Sequence, residues 1–292
     1  MPGSRRWPTS IIDTHVHASP DVVPRRGRDR ELVAEAAGAG YRALVLKNHH
    51  TPTMGRAQLL QELGDGMQVL GGLVLNTHST GGINPDAVES ALLLGCRVVW
   101  MPTFTAANHV RAARRDERTR GIPYFGQARG DGVHALDADG SLLPETAEVL
   151  DLLARHDATL ATGHLGPAEI MAVVPEARRR GVRRVIVTHP EMPFVELSLD
   201  DQVQLAALDG VWFERVAYVV STGQLSMREL AATIRAVGPS TTILASDLGQ
   251  PDNPPPVEGL TRYVRSFLEA GFSADQVEEM CSVAPARALG LT

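Results

Sequence analysis

His15 and His17 close an apolar run, Ile11-Ile-Asp-Thr-His-Val-His17, near the start of the chain. Side chains alternate along a β-strand, so residues two apart share a face. Two imidazoles at that spacing can bind one metal ion without distorting the backbone. His-x-His alone is a common pattern. Its weight comes from three later apolar runs that also end in a metal-competent residue: Ala161-Thr-Gly-His164, Val185-Ile-Val-Thr-His189 and Ile243-Leu-Ala-Ser-Asp247. Imidazole and carboxylate suit Zn²⁺ or a similar first-row divalent ion. Such an ion lowers the pKa of bound water to about 7, so the implied chemistry is activation of water. A single histidine at a strand end is usually a hydrogen-bonded core residue. An aligned set of five residues is harder to explain by packing.

The elements that must position these residues follow a regular rhythm. Strand candidates are 11–17, 41–48, 68–76, 97–102, 158–164, 183–189, 211–216 and 241–247. Amphipathic helical segments lie between and after them: 29–39, 54–63, 84–94, 144–156, 167–180, 199–208, 226–237 and 257–270. Asn84-Pro85 and Ser226 read as helix starts. Gly40, Gly95, Gly181, Gly210, Gly238 and Gly271 read as helix ends. Eight strands alternating with eight helices predict an α/β fold with a parallel sheet closed as a (β/α)8 TIM barrel. A doubly wound sheet would not readily bring the first and last strands to one site, whereas a closed barrel makes them neighbours.

The 292 residues suit one such domain, 1–292, with 43% hydrophobic residues for a core that is poor in aromatics at 4%. The rhythm breaks at 103–143, a long insertion after strand four that is expected to form a lid or wall over the C-terminal face. Within it, Asp139-Gly140 predicts a tight hairpin turn. Asp252-Asn-Pro-Pro-Pro predicts a stiff loop on the same face.

A formal charge of −6 argues against nucleic acid as a partner. The basic runs at 111–120 and 178–184 read as solvated helix faces. No apolar stretch is long enough to cross a bilayer, and no apolar segment follows Met1-Pro-Gly-Ser-Arg-Arg-Trp7, so a cytoplasmic protein is expected. Cys96 and Cys281 form no CxxC pair and are expected to be buried thiols. Outer helices rich in Ala and Leu allow a homo-oligomer without requiring one.

Asp13-Thr-His15-Val-His17, His164, His189 and Asp247 together resemble the amidohydrolase superfamily of metal-dependent hydrolases, and Val283-Ala-Pro-Ala-Arg-Ala-Leu-Gly-Leu291 is similar to its closing helix. The resemblance implies that His15, His17 and Asp247 hold one metal, that His164 and His189 hold a second, and that a bridging hydroxide attacks the substrate. One departure stands out. The superfamily often has a carboxylated Lys or a Glu at the end of strand four, but here that strand ends Val98-Val-Trp-Met-Pro-Thr103. Lys47, closing Ala43-Leu-Val-Leu46, is the unexpected charge instead. Three roles are open to it: a carboxylated ligand bridging two ions, an anchor for substrate anion or oxyanion, or a lysine that reaches solvent or pairs with Glu214. Without a bridging ligand a single-metal site is expected, with His189 contacting substrate or water.

His49 shares the Lys47 face by period two. Asn76, His78 and Glu214 could orient substrate or support a ligand, or could be polar rim residues. Arg25, with Arg26 and Arg28, could hold a carboxylate or phosphate, or be exposed loop charges. Gly71-Gly72 and Gly81-Gly82 are not phosphate loops, since no Lys-Ser/Thr and no GxGxxG accompanies them. Trp100, Met101, Phe104, Tyr124 and Phe125 could line a pocket for a small organic molecule.

The expected function is metal-dependent hydrolysis of a C–N or C–O bond in an amide, cyclic amide or imide, or lactone. Asp247 would move the proton, and Lys47 or His49 would steady the developing charge. The metal is expected to be Zn, as one or two ions, with Mn or Fe as alternatives. A single-metal decarboxylase on the same scaffold and a catalytically inert binding protein are the competing functions.

Overall fold

In the computed structural model, which describes residues 10–115 and 130–291, eight strands form one parallel sheet in sequence order. They are β1 Ile12–Val16, β2 Ala43–Leu46, β3 Gln68–Val74, β4 Val98–Trp100, β5 Thr159–Ala161, β6 Arg184–Thr188, β7 Val211–Val216 and β8 Thr242–Ala245. The sheet closes on itself. His17 N–H donates to the Leu248 carbonyl at 2.9 Å, and Asp247 N–H donates to the His15 carbonyl at 2.8 Å. The fold is therefore a (β/α)8 barrel, and its closing seam carries three of the expected ligand positions, His15, His17 and Asp247.

Each predicted helix is present, within two or three residues at its ends apart from 54–63, where the α-helix Met54–Leu60 passes into a 3₁₀ turn over Gln61–Gly64. The caps act as their chemistry dictates: Ser226 Oγ accepts from Glu229 N–H, and Asn84 Oδ1 accepts from Ala87 N–H. The Asp139-Gly140 hairpin also forms, with Leu136 bridging Leu142 in antiparallel fashion. Two short helices that follow strands were not anticipated, Thr77–Thr80 and Ala217–Ser221, while Ala107–Arg115 carries the described part of the basic run 111–120 expected as a helix face. Both unanticipated helices begin within three residues of a strand end and are too short for hydrophobic periodicity to reveal them. No helix among the described residues is long and apolar enough to cross a membrane.

The core has an inner and an outer part. Inward-facing Ile12, Val45, Val74, Trp100, Ala161, Ile186 and Ile243 pack with Ala284, Ala286 and Leu289 of the helix Ala284–Leu289. That last helix closes the N-terminal end of the barrel, pinned where Thr159 Oγ1 donates to the Ala288 carbonyl at 2.7 Å. Outside the sheet, two larger aliphatic clusters seat the ring of helices. Cys96 and Cys281 are both buried within them.

Strand β1 breaks simple alternation. Ile12 packs in the barrel interior, but Val16, four residues on, packs in an outer cluster. The β1–β2 register shifts between Asp13 and Val16, as at a β-bulge. This change of parity turns His15 and His17 inward together. Asp13 Oδ1 accepts the N–H groups of both His15 (3.2 Å) and Ser246 (3.0 Å), fixing the bulge against the end of β8.

Candidate active site

His15 Nε2, His17 Nε2 and Asp247 Oδ1 form a small triangle at the C-terminal end of the barrel. The sides are 3.3 Å between the imidazoles, 3.0 Å from His15 to Asp247 and 3.1 Å from His17 to Asp247. Tetrahedral bonds of about 2.0–2.1 Å to one Zn²⁺ place ligand atoms a little over 3 Å apart, so the spacing suits a single ion. This is the one group of three His, Cys, Asp or Glu among the described residues that could hold a metal.

The tautomers agree with that use. His17 Nδ1 lies 3.1 Å from the Lys47 carbonyl, which can only accept, so Nδ1 carries the proton and Nε2 offers its lone pair. His15 Nδ1 lies 2.9 Å from Glu214 Oε2, which likewise leaves Nε2 as the free donor. Thr14 Oγ1 donates to the other Glu214 oxygen at 2.6 Å. Electrostatics also favour a cation here. Burial alone would lower the His15 pKa, but the Asp247 and Glu214 carboxylates outweigh both burial and the opposing Lys47 charge, and raise it. Burial would raise Asp247, yet His15 and His17 hold it well below the ordinary carboxylate range. Burial, aided by the Arg25 charge, lowers His17 to about 3.

Lys47 closes one side. Its Nζ lies 2.9 Å from His15 Nε2 and 5.3 Å from the centre of the Trp100 ring. Burial lowers its pKa to about 8, against the pull of Asp247 and Glu214. Trp100 thus fills the barrel at the end of β4, where the resemblance would have placed a bridging ligand, and Lys47 reaches over it from β2.

These groups open into a cavity of about 740 Å³ whose wall includes His17, Lys47, His49, His164, His189 and Asp247. His49 stacks between His17 (4.9 Å) and Phe104 (4.0 Å), with Nδ1 2.8 Å from Thr103 Oγ1. His189 and Asp247 both take left-handed backbone conformations, with φ of +29° and +49°. Strain of that kind at non-glycine residues is characteristic of functional positions. Burial lowers His189 to about 3 and holds His164 well below the ordinary histidine value, so both rings are neutral.

Several expected positions fall elsewhere. Among the described residues, His164 and His189 complete no second three-donor group. Instead His164 Nδ1 faces His109 Nδ1 at 3.0 Å. His109 lies on the helix Ala107–Arg115 inside the insertion, and sequence reasoning missed it because no strand end announces it. Asn108 beside it donates to the carbonyls of His164 (3.3 Å) and Phe194, clamping that helix over the site. Asn76 is buried and away from the cavity wall. Its amide joins the loops after β2, β3 and β4 through the His49 carbonyl, Thr103 and Thr105. His78 is exposed on the short helix Thr77–Thr80 and does not line the cavity. Glu214 lies against His15 inside the barrel and does not line the cavity. Phe104 lines the cavity, whereas Trp100 and Met101 are fully packed in the core; Tyr124 and Phe125 lie outside the described residues. Arg25 lines the cavity, while Arg26 and Arg28 are exposed.

Comparison with solved structures finds the same barrel fold in proteins named as amidohydrolases and a probable dipeptidase. An amidohydrolase from Pseudomonas aeruginosa superposes with a TM-score of 0.63 at 14% identity, over 96% of this chain and 95% of its own. An amidohydrolase from Burkholderia multivorans gives 0.57 at 15% identity, over 97% and 100%. The probable dipeptidase PvdM from Pseudomonas aeruginosa gives 0.56 at 9% identity, over 97% and 95%. Such identities establish a common fold. By sequence, the chain belongs to the family of unknown function DUF6282, which it matches over residues 10–214. No curated protein matches it.

Proposed function

We propose that this protein is a metal-dependent hydrolase that cleaves a C–N or C–O bond of a small organic molecule: an amide, a cyclic amide or imide, or a lactone. The observation that carries this is the His15–His17–Asp247 triangle, whose His17 and Asp247 line the cavity, with a tautomer-fixing acceptor behind each imidazole. Proteins named as an amidohydrolase and a probable dipeptidase share the fold. When bound, a divalent ion, Zn before Mn or Fe, would polarise a carbonyl and bring the pKa of water at the site near 7.

The chain's own residues do the rest. Asp247, held ionised, accepts the proton of the attacking water and returns it to the leaving nitrogen or oxygen. Lys47, at the rim of the triangle, places positive charge where the carbonyl oxygen becomes negative. His49 and His189 border the same space as neutral imidazoles that can hydrogen-bond substrate. The walls formed by Phe104, Phe194 and Met192 keep water away from the reacting group.

A second reading is a single-metal decarboxylase, favoured by the presence of only one three-donor group among the described residues. Metal analysis with an activity screen tests both. One or two ions per chain, and chelator-sensitive turnover of amides or lactones, supports hydrolysis. Release of CO₂ from small carboxylic acids supports the second reading, and a metal-free, inactive protein overturns both. Two ions per chain, with density for a carboxylated side chain, would make Lys47 a bridging ligand.

A further inference from the structure

We infer that Arg25 is the specificity-determining residue of this site and that the substrate carries a carboxylate only a few bonds from the group that reacts. The inference rests on the cavity being the active site, as proposed above.

The loop after β1 brings Arg25 to the cavity wall with a side chain only 4% exposed. Asp21, whose side chain is buried, holds it: Arg25 Nε donates to Asp21 Oδ2 at 2.6 Å. Asp21 is itself fixed by the Val22 N–H at 2.7 Å and by His50 Nδ1 at 3.3 Å. A buried guanidinium in a fixed orientation is what recognition of a planar anion requires. Arg25 Nη2 lies 3.3 Å from His17 Nδ1. That nitrogen already donates to the Lys47 carbonyl, so the approach is a packing contact and takes up no Arg25 hydrogen. A guanidinium carries five N–H donors, and the Asp21 bond uses one.

His17 therefore stands between two positive sites. Its Nε2 belongs to the metal triangle, and its Nδ1 edge touches Arg25. A ligand that reaches both must span about the width of one imidazole ring, which sets the carboxylate close to the scissile bond. The anion should be a carboxylate and not a phosphate. Arg25 is the one arginine on the cavity wall among the described residues, and its charge is already partly balanced by Asp21. Arg26 is turned away, donating to the carbonyls of Pro251 (3.0 Å) and Asn253 (2.8 Å). One partly balanced fork suits a planar monoanion better than a dianion with three oxygens. Val23, Pro24, Met192, Phe194 and Pro251 add apolar surface to the wall for the body of an organic acid.

Calorimetric titration of the zinc-loaded protein with phthalamate and with neutral benzamide tests this without requiring turnover. Phthalamate presents an amide and an adjacent carboxylate on one ring; benzamide lacks the carboxylate. Phthalamate should bind at least 10-fold more tightly to the wild type. That advantage should vanish in Arg25→Gln and survive in part in Arg25→Lys, with zinc content unchanged in both. An advantage that persists in Arg25→Gln would mean that the metal or Lys47 takes the carboxylate. That outcome, or the absence of any advantage in the wild type, overturns the inference. If a variant loses zinc or fails to fold, titration of the wild type with phthalamate and with phthalamate methyl ester decides: equal affinities overturn the inference, and a 10-fold loss on esterification supports it. Failure of the hydrolase proposal would be read separately, as absence of turnover in a protein that still prefers the acid.

Discussion

Glu214 Oε2 lies 2.9 Å from His15 Nδ1, joining the ends of two strands that are 199 residues apart in sequence. The contact fixes which His15 nitrogen faces His17 and Asp247, and contributes negative charge behind that triangle. Loss of such a supporting carboxylate typically costs 10–100-fold in metal affinity. Glu214→Gln should therefore weaken zinc binding by about 10-fold or more, measured by competition with a chromogenic chelator, while the circular dichroism spectrum stays unchanged.

Asp247 is both a corner of the triangle and the proposed proton carrier. Asp247→Asn keeps its size and removes its charge. Activity on any substrate found in the screen should fall by about 10²–10⁴-fold. The assay that checks this compares kcat at saturating metal, so that weakened metal affinity is not mistaken for lost proton transfer.

Gly249 sits at the barrel seam with φ of +128°, and a Cβ there would lie 1.9 Å from the His17 carbonyl oxygen. The clash is with backbone, so no rotamer relieves it. Gly249→Ala should lower stability by about 2 kcal/mol or more and displace His17. Chemical denaturation measures the first effect and zinc affinity the second.

Metal binding requires a neutral His15, whose pKa is raised because Asp247 and Glu214 outweigh the effect of burial. Protons compete for a group held above its ordinary value as pH falls, so zinc affinity should decline on acidification through a pH above 6.5. His17, lowered to about 3 by burial and by Arg25, should not contribute to that decline. Titration of zinc affinity from pH 5 to 8 in wild type and in Glu214→Gln checks the assignment: the midpoint should move down in the variant.

Burial pushes the Cys96 and Cys281 thiols up to about 12. Both remain protonated through pH 9, so a disulfide reagent should label neither in the folded protein and both after denaturation.

The alternation of apolar strands with amphipathic helices was legible because periodicity, caps and terminal glycines are local properties of the chain. They placed all eight strands and carried His15, His17, Lys47, His164, His189 and Asp247 to one end of the barrel. Alternation alone could not show the parity change between Asp13 and Val16, which depends on a register with β2 and on the Asp13 bond to Ser246.

What the sequence by itself determined is the barrel and the strand ends from which its chemistry must come. What only the tertiary structure decided is which side chains meet there. Glu214 lies against His15, His109 arrives on an insertion helix to face His164, and Asn76 fastens loops away from the cavity. The physical reason is range. Strand and helix signals arise within about ten residues, whereas these contacts join elements tens to hundreds of residues apart, and only closure of the barrel fixes their distances.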